Sequence, residues 1–167
     1  MAAFDKAFEK TLKYEGCLSN DVNDRGGLTK YGICQASYPK LDIRNLTIED
    51  AKKIYKRDYW DAVKCDSIKD ESVAMHIFDI AVNCGTGGAG TIVQKAINRI
   101  TGKTTLKVDG EIGNATISIL NTLAANVLNK EIARYRARRY AIICEKNKTQ
   151  TCFLEGWLER TFGFVTF

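Results

Sequence analysis

Two carboxylates and a hydroxyl lie close together near the start of the chain. They are Glu15, Asp24 and Thr29, in a segment reading Glu15-Gly16-Cys17 and then Asn23-Asp24-Arg25-Gly26-Gly27-Leu28-Thr29-Lys30-Tyr31-Gly32-Ile33. A carboxyl group that keeps its proton near neutral pH can donate it to a leaving oxygen. A second carboxylate that stays ionised can stabilise the positive charge developing in the reaction. Glu15 falls on the apolar side of a helical pattern, near its C-terminal end. Burial disfavours a charged carboxylate, and so does the negative end of a helix, so both push its pKa up. Asp24 falls in a polar, Gly-rich stretch and is expected to remain ionised. Two carboxylates whose surroundings push their pKa values apart make the acid/base pattern of glycoside cleavage.

The elements that must position these groups are mostly helical. Phe4, Phe8 and Leu12 recur every four residues, the spacing of one helix face. At about 100° per residue, Glu15 is rotated only about 20° from Phe4, and Gly16 is placed to stop the helix. The strand candidates lie between Leu18 and Ile33, where a small hairpin would present Asp24 and Thr29. A second helix opens at Thr47, its N-cap, with Asp50 three residues on, and carries Ile54 and Tyr55 inward towards Trp60. A third runs from about Ser72 to Asn83, with Val73, Ile77 and Ile80 on one face. The run Gly85-Thr86-Gly87-Gly88-Ala89-Gly90 lacks the Gly-Lys-Ser/Thr ending of a phosphate loop, and no strand leads into it. It reads as a turn between helices that separates the two halves of the chain. Further helices are expected near Ile92–Ile100, Ala115–Leu128, Glu131–Cys144 and Phe153–Thr161. Turns fall at Asp109-Gly110 and Gly113-Asn114, with Asn114 as a cap. The fold class is therefore mainly α. Residues 1–90 read as a catalytic region and 91–167 as a C-terminal helical region packed into the same compact body.

The first motif resembles the signature of the glycoside hydrolase family 108 lysozymes, muramidases that cleave peptidoglycan. Its Glu, Asp and Thr follow the order and spacing of the catalytic trio of phage-type lysozymes. Tyr59-Trp60-Asp61 is similar to the family's Tyr-Trp segment. Phe78-Asp79-Ile80-Ala81-Val82-Asn83-Cys84-Gly85 is similar to its Phe-Asp-x-Ala-Val-Asn-x-Gly. Val108-Asp109-Gly110-Glu111-Ile112-Gly113-Asn114-Ala115-Thr116 resembles an element of peptidoglycan-binding domains, and Gly156-Trp157-Leu158-Glu159-Arg160 the family's closing motif. The resemblance implies a lysozyme-like helical fold with a small β-hairpin or short sheet beside the active-site cleft. It also implies cleavage of the bond between N-acetylmuramic acid and N-acetylglucosamine. Glu15 is then the general acid, Asp24 the stabilising carboxylate and Thr29 the holder of the attacking water. Tyr31, Tyr59 and Asn83 are the expected sugar-binding residues. The pattern departs at Cys17, where the family prefers Gly, and at Leu18, where it prefers an aromatic ring that stacks on sugar.

Composition narrows the alternatives. At 167 residues, 45% hydrophobic and 27% charged, the chain has the make-up of an ordinary globular protein. It contains no apolar run long enough to span a bilayer. The start, Met1-Ala2-Ala3-Phe4-Asp5-Lys6, does not read as a signal peptide. Synthesis in the cytoplasm followed by release to the wall is expected, through a holin in a phage setting. The six cysteines form no Cys-x-x-Cys pair, and His76, the only histidine, sits in an apolar helical stretch. Hence neither a metal site nor a cofactor is expected. The thiols read as free, several of them buried, with disulfides after export left open. The net charge is +5, and Arg134, Arg136, Arg138, Arg139, Lys146 and Lys148 crowd one late segment. This is either the solvated face of a long helix or a surface for an anionic polymer. In the second case Arg134, Arg138 and Arg139 would contact the anionic envelope. No nucleic-acid module is visible. The expected partner is the peptidoglycan glycan strand, met by a monomer. The competing readings are a non-catalytic peptidoglycan-binding protein, a chitinase-like glycosidase and a helical nucleic-acid binder.

Overall fold

The four-residue apolar spacing at the start of the chain becomes α1 (Ala2–Glu15), which buries Phe4, Ala7, Phe8 and Thr11. Leu12 is only half-buried. The structure, a computed structural model, describes residues 2–15, 18–19 and 28–165, with the backbone alone at Ala2, Tyr14, Glu15, Leu18 and Ser19. The described residues form seven α-helices and one small sheet. They separate into two compact units, Met1–Asp58 and Tyr59–Phe167. This is a mainly α, lysozyme-like architecture.

In the first unit, β1 (Leu18–Ser19), β2 (Thr29–Lys30) and β3 (Ile33–Cys34) form an antiparallel sheet in sequence order. Leu18 pairs with Lys30 and Ser19 with Thr29, while Thr29 pairs with Cys34 and Lys30 with Ile33. Helix α2 (Ile48–Tyr55) begins where the sequence places it. Thr47 Oγ1 accepts the Asp50 backbone N–H at 3.1 Å, satisfying one of the donors a helix start leaves open. Its buried face carries Ala51, Ile54 and Tyr55. The Tyr55 ring meets Phe8 of α1 edge-on, with centroids 5.4 Å apart. A Lys52–Asp5 ion pair of 2.9 Å adds a surface tie.

A π-helical turn over Lys56–Asp61 leads into the second unit, where Trp60 is buried against Phe78. Helix α3 (Glu71–Cys84) is capped by Asp70, whose Oδ1 accepts the Val73 N–H at 3.1 Å. It packs on α4 (Thr86–Thr101) and on the 22-residue α6 (Ala125–Lys146). Val73, Ile77 and Ile80 are buried as their spacing requires. His76 is fully buried, stacked on Phe164 with Nδ1 3.1 Å from Asn129 Oδ1, so it is a core residue. A 3-10 turn over Lys148–Phe153 precedes α7 (Leu154–Phe162).

Four local expectations are corrected. The glycine run after α3 is not a turn over its whole length. Gly85 alone makes the turn, with φ +76°, and α4 starts at Thr86. Of the remaining glycines, Gly90 serves packing: a Cβ there would lie 1.9 Å from the Gly110 carbonyl oxygen. The helix expected over 115–128 is two helices, α5 (Asn114–Leu120) and α6. The break between them holds Asn121, which accepts the Lys69 N–H at 2.9 Å and donates to the Ser67 carbonyl at 2.8 Å. Asn114 is the first residue of α5 and not its cap; its Oδ1 accepts from Lys64 Nζ at 2.8 Å. Arg136 does not belong to a basic face, because it is fully buried in an ion pair with Asp79.

Candidate active site

Helix α1 delivers Glu15 as its last residue, where a helix leaves carbonyl groups unpaired and disfavours negative charge. The Glu15 side chain lies outside the described residues, as do Asp24 and Cys17. The third member of the trio is described. Thr29 is the first residue of β2, half-buried, and faces Ser19 and Cys34 in register.

Thr29 and Tyr31 are brought together by a two-residue hairpin. Tyr31 and Gly32 connect β2 to β3, with φ +53° and +76°, the two positive values of a type I′ turn. Gly32 adopts this without cost, but a tyrosine there is uncommon. The conformation is held from two sides. Tyr55 Oη donates to the Tyr31 carbonyl at 3.0 Å, and Gln35 N donates to the Leu28 carbonyl at 2.9 Å to close the hairpin base. Lys30 Nζ sits 5.6 Å from the Tyr31 ring centroid and donates to the Arg44 carbonyl at 2.9 Å. An over-determined backbone outlier of this kind clusters at functional sites, and here it carries an expected sugar-binding side chain. An apolar depression of about 400 Å³, lined by Tyr38, Pro39, Leu41 and Ile54, lies in the same unit and includes none of the candidates.

Of the other candidates, Tyr59 is half-buried in the π-helical turn. Asn83 is half-buried one residue before the end of α3, and its side chain is held in place. Tyr140 Oη donates to Asn83 Oδ1 at 2.5 Å, and Arg136 Nε donates to Tyr140 Oη at 2.9 Å. Arg136 Nη2 then donates to Asp79 Oδ2 at 2.7 Å, and Arg160 Nε reaches both Asp79 oxygens at 3.0 Å. Burial pushes the Asp79 carboxyl up, but the two guanidiniums outweigh it and hold the group below the usual carboxylate range. Burial also pushes the Tyr140 phenol up, to about 12. Tyr140 therefore keeps its proton and its role as donor to Asn83. This network is not legible in the sequence. Asp79 and Arg160 each stand in a motif noted there, 81 residues apart, yet nothing in either motif says that the two pair.

The Asp109-Gly110 turn has a comparable internal logic. Gln94 Oε1 accepts the Gly110 N–H at 2.9 Å, and Gln94 Nε2 donates to Asp109 Oδ1 at 2.7 Å. The Asp109 carboxyl also accepts the Glu111 N–H at 3.0 Å and is held low, first by Gln94 and then by that backbone donor. The motif residues thus clamp a loop onto α4, with Gly110 at φ +84°. The described cysteines, Cys34, Cys65, Cys84, Cys144 and Cys152, are free thiols, Cys65 and Cys144 being buried.

Comparison with known proteins agrees with this division of motifs. Residues 8–85 match the family model of glycosyl hydrolase 108, and residues 89–162 match that of a predicted peptidoglycan domain. Among solved structures, the chain is similar to Brucella abortus SagA at TM-score 0.75 and 24% identity, over 98% of this chain and 95% of that one. That likeness supports the fold. No curated protein matches the sequence. The chain thus matches glycosyl hydrolase 108 over residues 8–85 and a predicted peptidoglycan domain over residues 89–162.

Proposed function

We propose that the protein is an N-acetylmuramidase of the lysozyme type, cutting the β-1,4 bond between N-acetylmuramic acid and N-acetylglucosamine in bacterial peptidoglycan. The observation that carries this reading is the position of the Glu15–Asp24–Thr29 run. All three residues fall within the part of the chain that matches glycosyl hydrolase 108, and the part that follows matches a predicted peptidoglycan domain. In the proposed mechanism Glu15 protonates the glycosidic oxygen as the bond breaks. Asp24 stabilises the oxocarbenium-like transition state, and Thr29 holds water through its hydroxyl. Tyr31, Tyr59 and Asn83 contact the sugars.

The setting we propose is that of an endolysin: made in the cytoplasm, released to the wall, through a holin if encoded by a phage, and active as a monomer. Arg134, Arg138 and Arg139 would contribute attraction to the anionic envelope. Residues 1–90 are the proposed catalytic region and 91–167 the proposed binding region. The test is reducing-end release from purified peptidoglycan with mass analysis of the fragments. Wild-type protein should give fragments ending in reducing muramic acid. Glu15→Gln should lower the rate by about 10²–10⁴-fold, the usual contribution of a general acid. Reducing ends on glucosamine would identify the chitinase-like alternative, and wild-type release by Glu15→Gln would remove Glu15 as the acid.

A further inference from the structure

We propose that the groove between α4 and α6 binds the stem peptides of peptidoglycan through their carboxylates. The groove holds about 590 Å³, and Ile92 and Ile143 contribute to its apolar wall. Ile142, beside them, is 40% exposed. Lys95, Arg138, Arg139 and Lys146 line the same groove, and all four are exposed. A second depression of about 430 Å³ shares Lys95 and Tyr135 with the first, and adds Arg99 and Lys103. The two therefore form one continuous track carrying six cations.

What distinguishes these cations is that none is paired with a carboxylate among the described residues. None of the six makes an ion pair or a side-chain hydrogen bond among the described residues. Elsewhere on α6 the positive charges are matched: Arg134 pairs with Glu131 at 3.3 Å, and Arg136 with Asp79 at 2.7 Å. Lysines and arginines gathered without partners along one track create a positive potential that concentrates anions. The chemistry of the track selects among anions. A polyphosphate chain offers charge without apolar surface, and it would leave the isoleucines in contact with water. A stem peptide offers methyl side chains beside free carboxylates. The methyl groups gain by leaving water, and guanidinium groups hold carboxylates with paired hydrogen bonds. The whole track lies within residues 89–162, so the inference rests on the peptidoglycan reading of that domain. It does not depend on Glu15.

The experiment is cosedimentation on ice with sacculi from a Gram-negative bacterium, which carry no teichoic acid. They are used either intact or after carbodiimide coupling to ethanolamine has converted the stem-peptide carboxylates to neutral amides, which leaves the cross-links in place. Wild-type protein should bind amidated sacculi about tenfold more weakly than intact ones. Lys95→Glu and Arg138→Glu should each weaken binding to intact sacculi by about tenfold, and Lys95→Gln and Arg138→Gln by less. The substituted side chains are exposed, and an unchanged melting temperature establishes that the variants fold. Equal binding to intact and amidated sacculi would overturn the proposal, as would charge-reversed variants that bind like wild type. Displacement by duplex DNA, or retention on anionic lipid vesicles in preference to intact sacculi, would assign the track to another partner and also overturn it. Reducing-end release by the wild type on the same sacculi, warmed, reports separately on the muramidase reading. Its absence would leave the binding result standing.

Discussion

At the scale of single residues, the pair of guanidiniums around Asp79 is the interaction with the largest energetic stake. Three charged groups out of water are tolerated only while they satisfy one another. Asp79→Asn leaves two guanidiniums without their counter-charge and should cost about 3–5 kcal/mol, read as a fall in the unfolding free energy. The pH dependence has a definite sign. The folded carboxyl titrates below its unfolded value of about 3.9, so its contribution is complete above that pH and is lost as pH falls towards the folded pKa. The stability gap between wild type and Asp79→Asn should therefore be constant near neutrality and shrink below about pH 4. A gap that widened on acidification would contradict the ion-pair account. The same network holds Asn83 through Tyr140. Tyr140→Phe should cost about 1–3 kcal/mol, since the Asn83 oxygen and the buried Arg136 donor would each lose a partner. If Asn83 does contact sugar, the variant should also raise the substrate concentration needed for half-maximal rate.

Among the elements, α4 shows how glycine can be required by packing as well as by turns. Gly90→Ala would place a methyl 1.9 Å from the Gly110 carbonyl oxygen and 2.3 Å from its carbon. Backbone cannot yield as a side chain does, so the helix and the 109–113 loop must part. A loss of about 3 kcal/mol or more is expected, at or beyond the upper end of the overpacking range. Gly87, three residues earlier in the same helix, has open space where a methyl would stand, with nothing within 4 Å. Gly87→Ala should accordingly stabilise by about 0.5–1 kcal/mol through helix propensity. Thermal unfolding of the two variants should move in opposite directions. Shifts of the same sign would mean that the α4–loop contact is not as close as the geometry gives.

For the whole molecule, the boundaries of compactness and of family differ. Contacts divide the chain after Asp58, whereas the glycosyl hydrolase match runs on to residue 85 and so takes in α3. Helix α3 packs on α4 and α6 and buries Val73, Ile77 and Ile80. A fragment ending at residue 85 keeps the hydrolase sequence but strips α3 of the helices it packs on. Such a fragment should show less helix by far-ultraviolet circular dichroism than the same residues have in the full chain. Full helicity in the fragment would show that α3 folds without them.

Helix positions are largely legible in the sequence, because period-3.6 apolar spacing and side-chain caps such as Thr47 are local signals. The order and spacing of Glu15, Asp24 and Thr29 are legible too, since they lie within one short segment, and Thr29 falls on a strand as expected. The Gly85–Gly90 run reads as a turn between helices, because a glycine demanded by a neighbour from residue 110 looks in sequence like a glycine demanded by a turn. Arg136 reads as part of a basic face because its partner, Asp79, is 57 residues away. The same separation in sequence hides the tie from Tyr140 to Asn83. By itself, then, the sequence determined most helix positions, the hairpin segment and the residue types near Glu15, all set by residues close along the chain. Only the tertiary structure decided which charges are buried as pairs and which remain unpaired along the α4–α6 track. That distinction depends on distances between residues far apart in the chain.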